Sequence, residues 1–201
     1  MAKIYTEILF LLIISATSLL ATNAETENLI IACSNHDIHA AKILIENYGQ
    51  NYTSEIYNEA MSSIMKKGTN GINIELLKLL IDNNANINYR KSEDDLTLLH
   101  SACYDINANL AKFLIENKAD VNAVEINSYS DDEDEYVEYS FPLDIIFISL
   151  NLYKNKKIDA LEIVKCILLQ GGKYSEEYSE EELLIEARQR ILEDAKVCDA
   201  I

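Results

Sequence analysis

The chain has no tryptophan, one proline and five glycines among its 201 residues. So little proline and glycine excludes a collagen-like chain. With 49% hydrophobic residues it also excludes most disordered classes, which lack the apolar surface needed to offset chain entropy. Cationic residues are scarce: 17 Lys and Arg stand against 34 Asp and Glu, a formal net charge of -17. That field repels phosphate, so nucleic acid is not an expected partner, and anionic lipid is disfavoured for the same reason. The sequence contains no glycine-rich phosphate loop, nucleophile elbow or HExxH, and no CxxC or Cys/His pairing of zinc type. Neither an enzyme nor a cofactor or metal site is expected. What is present is abundant Ile, Leu and Asn, the composition of a helical chain of one or two domains.

Long hydrophobic runs are also missing. The stretch Ile8 to Leu20 is apolar over roughly 13 residues, broken by Ser15, Thr17 and Ser18, against the ~20 that span a bilayer. With Lys3 before it and Thr22-Asn23-Ala24 after it, residues 1–24 read as a signal peptide cleaved between Ala24 and Glu25. An uncleaved anchor is the rival reading. The first implies a secreted or periplasmic, cell-envelope protein with a mature domain over 25–201. Four cysteines are present. Cys33, Cys103 and Cys166 lie in apolar helical runs and are expected as buried free thiols, whereas Cys198 is expected at the surface. Asn51-Tyr52-Thr53 is an N-glycosylation acceptor, relevant only in a eukaryotic secretory pathway.

Self-similarity is the most informative feature. Lys42, Lys78, Lys112 and Lys165 each follow an apolar pair and precede an apolar triplet, and they are spaced 36, 34 and 53 residues apart. Two spacings share one period, so the third implies an insertion. The third unit reads Thr97-Leu98-Leu99-His100-Ser101-Ala102-Cys103, then the Lys112 helix, then Lys118-Ala119-Asp120-Val121-Asn122-Ala123. The second closes with Asn84-Ala85-Asn86-Ile87-Asn88, the first opens with Leu29-Ile30-Ile31-Ala32-Cys33, and the fourth carries Phe141-Pro142-Leu143-Asp144 and Gly171-Gly172-Lys173. This pattern resembles the ankyrin-repeat family over about residues 27–174. The resemblance implies an all-α ankyrin-repeat solenoid of about four stacked helix-turn-helix units, near 27–51, 52–90, 91–123 and 124–174. A capping helix at 179–196 closes the stack. It also implies that Thr97 and His100 tie their helix to adjoining backbone.

Several departures shape the expectations. Unit two is expected to open with an extended helix from Ser54 to Lys67. Unit three has Ile106-Asn107 where a Gly is usual, and unit four has a long first helix and connection from Leu143 to Ile158. For the last helix, Ser179 and Glu182 fit a capping box. Leu183, Leu184, Ala187, Ile191, Leu192 and Ala195 form its apolar stripe.

Chemistry-bearing residues are few. His36 and His39 form an HxxH, but too few ligands accompany them for a metal, and His36 falls in an inter-helix turn with His39 facing outward. Ser101 beside His100 has no acid partner in triad order. Residues 125–140 hold seven carboxylates and no basic residue, without the alternation and Gly of a calcium loop. Two readings stay open there: a solvated insertion, or an acidic, Tyr-bearing finger for a cationic partner. The resemblance implies protein recognition through hairpin tips and first-helix surface. The matching positions are Glu93, Asp94, Leu96, Tyr104 and Asp105 in unit three and Ser34 and Asn35 in unit one, with Ile148 and Ser149 less securely matched in unit four. Asp131, Asp132, Glu133, Asp134 and Glu135 would add to that surface. The expected function is an exported, monomeric protein-binding module, the alternative being an inhibitor or immunity-type protein that neutralises a basic enzyme or toxin.

Overall fold

A computed structural model describes residues 24–65, 69, 71–90, 96–130, 135–179 and 181–198. Its helices are α1 (residues 24–34), α2 (Ile38–Tyr48), α3 (Ser54–Ile64), α4 (Ile74–Asp82), α5 (Leu98–Tyr104), α6 (Ala108–Glu116), α7 (Pro142–Leu152), α8 (Lys157–Leu169) and α9 (Glu182–Cys198). Between α6 and α7 the chain forms an antiparallel pair, β1 (Glu125–Ser130) and β2 (Glu135–Ser140). Short 3₁₀ turns occupy Gly49–Asn51, Lys154–Lys156 and Glu176–Tyr178. The chain divides into two compact units, Met1–Ile64 with Glu75–Ala85, and Met65–Ile74 with Asn86–Ile201.

Helices this short gain their stability from burying an apolar face, since isolated helices below ~12–15 residues are marginal in water. In the first unit Leu29, Cys33, Ala41, Ala60, Ile64 and Leu80 are all fully buried. Asp37 starts α2 by accepting the Ala40 amide at 2.9 Å, a side-chain cap for an otherwise orphaned donor. Polar ties then join elements: Ser63 Oγ donates to the Ile30 carbonyl at 3.1 Å, and the Tyr52 hydroxyl donates to the Glu25 carbonyl at 3.1 Å.

In the second unit α5 packs against α6 and α7, α6 against α8, α7 against α8, and α9 against α8. Leu98, Ala102, Leu110, Leu114, Ile146 and Val164 supply its buried core, each large one worth roughly 1.5–3 kcal/mol of burial. Ala102 and Cys103 are small where first helices meet closely.

Backbone conformation repeats with the sequence. His36 (φ 59°), Gly71 (φ 84°) and Ile106 (φ 47°) adopt left-handed conformations between paired helices, and Asn84 (φ 70°), Lys118 (φ 72°) and Gly171 (φ 74°) do so after the second helix. Asn83 and Asn117, one residue before Asn84 and Lys118, donate their side-chain amides to Leu79 and Phe113 carbonyls, both at 2.8 Å. Both bonds add to the satisfaction of last-turn carbonyls, the Phe113 carbonyl also accepting the Asn117 main-chain amide at 3.1 Å.

Some expectations are corrected. The helix expected to reach Lys67 ends at Ile64, and just beyond it Thr69 is held by hydrogen bonds to Asp105 within the second unit. The stretch Leu143 to Ile158 resolves into α7, a 3₁₀ turn and the start of α8 at Lys157. Ser179 ends a 3₁₀ turn and α9 begins at Glu182, the amides of Leu184 and Ile185 bonding to the Glu181 carbonyl; the box expected at Ser179 does not start the helix. Of the expected α9 stripe Leu183, Leu184 and Ala187 are buried, but Leu192 is 62% exposed. Cys33 and Cys103 are buried free thiols, whereas Cys166 is only half-buried. Burial pushes the Cys33 thiol up to about 12 and raises Cys103 further, which holds both in the unreactive protonated form. The side chain of Cys198 lies outside the described residues.

Candidate partner-binding surface

The surface is positioned by polar ties that recur along the second unit. At the start of α5 the Thr97 amide donates to His100 Nδ1 at 3.2 Å, the Thr97 hydroxyl lies 2.8 Å from the same nitrogen, and the His100 amide approaches Thr97 Oγ1 at 3.4 Å. With Nδ1 accepting, the ring proton sits on Nε2, which donates to the Ala123 carbonyl at 3.0 Å. A fully buried imidazole with both nitrogens engaged is a neutral fastener between α5 and the loop leading into β1. Desolvation by burial lowers its pKa to about 4, with the nearby Arg90 charge acting in the same direction.

The next repeat rebuilds this fastener with a carboxylate. Asp144, 1% exposed, accepts from the Phe141 amide at 3.0 Å, capping α7. It also accepts from the Ser175 amide and hydroxyl, each at 2.8 Å, in the loop before α9. Charge-assisted bonds of this kind exceed neutral ones, so Asp144 does the work of His100 by a different chemistry.

Between these fasteners runs a ladder of asparagines. Asn88 Oδ1 accepts the Asp120 amide at 2.8 Å, and one repeat later Asn122 Oδ1 accepts the Lys173 amide at 2.7 Å. Each Asn is oriented by the acceptor two residues before it, Asn86 and Asp120 respectively. The opposite, inter-helix turns are joined as well. Asp105 Oδ2 accepts from the Thr69 amide at 2.8 Å and hydroxyl at 2.7 Å, Asn107 donates to the Thr69 carbonyl at 3.1 Å, and Lys156 Nζ donates to the Asp105 carbonyl at 2.5 Å.

Against this framework the expected contact residues fall as follows. In the second unit Leu96, Tyr104 and Asp105 are half-buried. The Tyr104 hydroxyl reaches the Glu125 carboxylate at 3.3 and 3.4 Å, and Asp105 is engaged with Thr69, so both carry structural ties besides any contact they make. Glu93, Asp94, Asp131, Asp132, Glu133 and Asp134 lie outside the described residues; of Glu135 only the backbone is described, paired with Ser130. Ser34 and Asn35 belong to the first unit, at the end of α1, where Ser34 Oγ donates to the Ile31 carbonyl at 2.9 Å and Asn35 is exposed. Ile148 is half-buried, and Ser149 is fully buried with its hydroxyl unpartnered, which removes Ser149 from the exposed surface. Ala24 and Glu25 stand at the first described turn of α1, the rest of the expected signal segment lying outside the described residues.

The insertion is a hairpin. Its register pairs Glu125 with Ser140, Ile126 with Tyr139 and Tyr129 with Tyr136, and its root is sunk into the fold, with Glu125 5% and Ser140 4% exposed. Tyr139 beside that root is 59% exposed. The reading of residues 125–140 as a solvated insertion missed these two strands, although Ile126, Tyr129, Tyr136, Val137 and Tyr139 are residue types favoured in strands. Also missed were Leu152 and Ile158, 76% and 77% exposed at the α7–α8 turn. Among the described residues no His, Cys, Asp or Glu cluster could hold a metal, His39 is exposed, and no helix is long and apolar enough to cross a membrane.

Residues 29–125 match the family model described as ankyrin repeats (3 copies). The chain belongs to the ankyrin-repeat family, and its fold is an all-α ankyrin-repeat solenoid. No curated protein matches it. Members of this family are generally non-enzymatic interaction scaffolds, so the chain is a protein–protein interaction module and its partners are proteins.

Proposed function

We propose that the protein is exported and binds a cationic protein through its hairpin tips and first-helix surface. The contact set comprises Glu93, Asp94, Leu96, Tyr104 and Asp105, the acidic residues Asp131 to Glu135, and, in the first unit, Ser34 and Asn35. One observation supports this reading: in a chain with net charge -17 the most acidic stretch lies between two paired strands whose far ends, Glu125 and Ser140, are buried in the fold. A strongly acidic insertion steers an oppositely charged partner and raises the association rate. Export rests on the residue pattern of 1–24, and mass spectrometry of the native protein tests it, Glu25 being the expected first residue. A retained Met1 on membrane-bound protein would replace export with anchoring.

The same charge supports a narrower version in which the partner is a basic enzyme or toxin that the chain neutralises. Affinity capture on the mature chain, followed by surface plasmon resonance of the captured protein, tests both. A basic partner whose association slows with added salt supports the general reading, loss of that partner's activity in the complex supports the narrower one, and a neutral or acidic partner contradicts both.

A further inference from the structure

The base of the β1–β2 pair is formed by Glu125 opposite Ser140 and, one rung further out, Ile126 opposite Tyr139. Successive side chains of a strand point to opposite faces. Glu125 and Ser140 are buried, so the next rung turns outward: Ile126 is half-buried and Tyr139 is 59% exposed. Helix α5 holds this base through His100 and Tyr104, one helical turn apart. His100 Nε2 donates to the Ala123 carbonyl at 3.0 Å, and the Tyr104 hydroxyl donates to Glu125 at 3.3 Å. Across the strands Ile126 gives the Tyr139 ring a β-branched neighbour, a pairing that stabilises an aromatic on a sheet. Tyr139 is therefore an exposed ring on a base already fixed, and a tyrosine loses little conformational freedom when it is covered.

Two other tyrosine rings are met by cations of the chain itself. Lys156 Nζ lies 5.1 Å from the centroid of Tyr153, and the Arg188 guanidinium carbon lies 5.4 Å from that of Tyr174. At such distances a cation is drawn to the negative face of an aromatic ring. Among the described residues no cation stands over Tyr139, and residues 125–140 contain none.

We propose that Tyr139 is a contact residue for the partner protein, its ring receiving an arginine side chain whose aliphatic stem packs on Ile126. Arginine suits the site better than lysine, because its guanidinium is planar, stacks on a ring and is more weakly hydrated. This deepens the cationic-partner reading and rests on it. It adds to the contact set a residue that the positions carried over from the family do not include.

The test uses the full chain, with its tyrosine rings labelled by carbon-13, and nuclear magnetic resonance titrations at low salt. The probes are two blocked tripeptides, Gly-Arg-Gly and Gly-citrulline-Gly, taken to millimolar concentration. Citrulline keeps the length and planar head of arginine but carries no charge. The Tyr139 ring signals should respond to the arginine peptide with an affinity about two- to fivefold higher than to the citrulline peptide. The Tyr153 ring, already met by Lys156, should not respond. Tyr139→Phe retains a ring face and should keep the ring-current shift of the arginine side-chain protons, whereas Tyr139→Leu should abolish it. Both variants should melt like the wild type, the position being exposed. Equal response to the two peptides, or an arginine shift that survives in Tyr139→Leu, would overturn the stacking site. Arginine-dependent shifts confined to carboxylate side chains would also overturn it, yet leave the cationic-partner reading standing. No response to the arginine peptide anywhere in the chain would contradict both.

Discussion

At the scale of single residues, two left-handed positions predict opposite outcomes for one substitution. Lys118 holds φ 72° with an exposed side chain, where a side chain costs about 1–2 kcal/mol over glycine. Glycine's greater unfolded freedom returns roughly 0.5–1 kcal/mol of that. Lys118→Gly should stabilise the protein by about 0.5–1 kcal/mol and raise its melting midpoint by up to ~4 °C. Ile106 holds φ 47° but is 1% exposed, and deleting its side chain forfeits more burial than the strain relief returns. Ile106→Gly should lower the midpoint; paired thermal melts check both signs. His100 adds a pH prediction. Its folded pKa near 4 lies below the unfolded value of about 6.5, so between these limits the unfolded chain binds more protons. Stability conferred by neutral His100 is present above pH 6.5 and is lost as pH falls toward 4. His100→Asn lacks this component, so the stability gap between wild type and variant should shrink between pH 7 and pH 4.5 in urea titrations. A gap that widens would refute the neutral fastener.

At the scale of elements, Asp144 and Ser175 join α7 to the loop before α9. Asp144→Ala removes a helix cap and two loop bonds from a buried site, and should cost about 2–4 kcal/mol. Ser175→Ala removes the hydroxyl bond alone and should cost about 1 kcal/mol. The double variant should be little worse than Asp144→Ala, a non-additivity that a double-mutant cycle measures; additive losses would mean the two groups act separately. Here the limits of sequence reading become visible. Thr97 and His100 were legible because their residue types and spacing are a known fastener, and the cysteines at 33 and 103 because small apolar residues fell in register. Asp144 was not, since an acid in a histidine position reads as a surface charge until Ser175 is seen to meet it. The strands 125–130 and 135–140 were hidden for a related reason: carboxylates suggested solvated loop, and Ile126, Tyr129, Tyr136, Val137 and Tyr139 are strand-favouring types that do not alternate regularly. Replacing 128–138 with a Gly/Ser linker should leave helical circular dichroism and the melting transition unchanged, because the root at Glu125 and Ser140 is retained. Cooperative loss of helix would instead place the hairpin in the core.

At the scale of the whole molecule, repeat identity and interaction role follow from sequence and fold together, while the partner's chemistry is argued from charge. The repeating parts were largely readable, since each unit restates one pattern of helix, turn and closing Asn. The contact residues were readable only as positions: the side chains of Tyr104 and Asp105 prove to be tied within the fold, and such ties cannot be inferred from spacing alone. Charge steering acts on association far more than on dissociation, and added salt screens it over a Debye length of about 8 Å at physiological ionic strength. The measurement that tests the central claim most directly is therefore the association rate of the captured partner with the wild-type chain and with the 128–138 linker variant, at low and at physiological salt. A rate that falls several-fold in the variant at low salt, with the difference narrowing as salt is raised, is the predicted result. Equal rates for the two chains at both salt concentrations would contradict it.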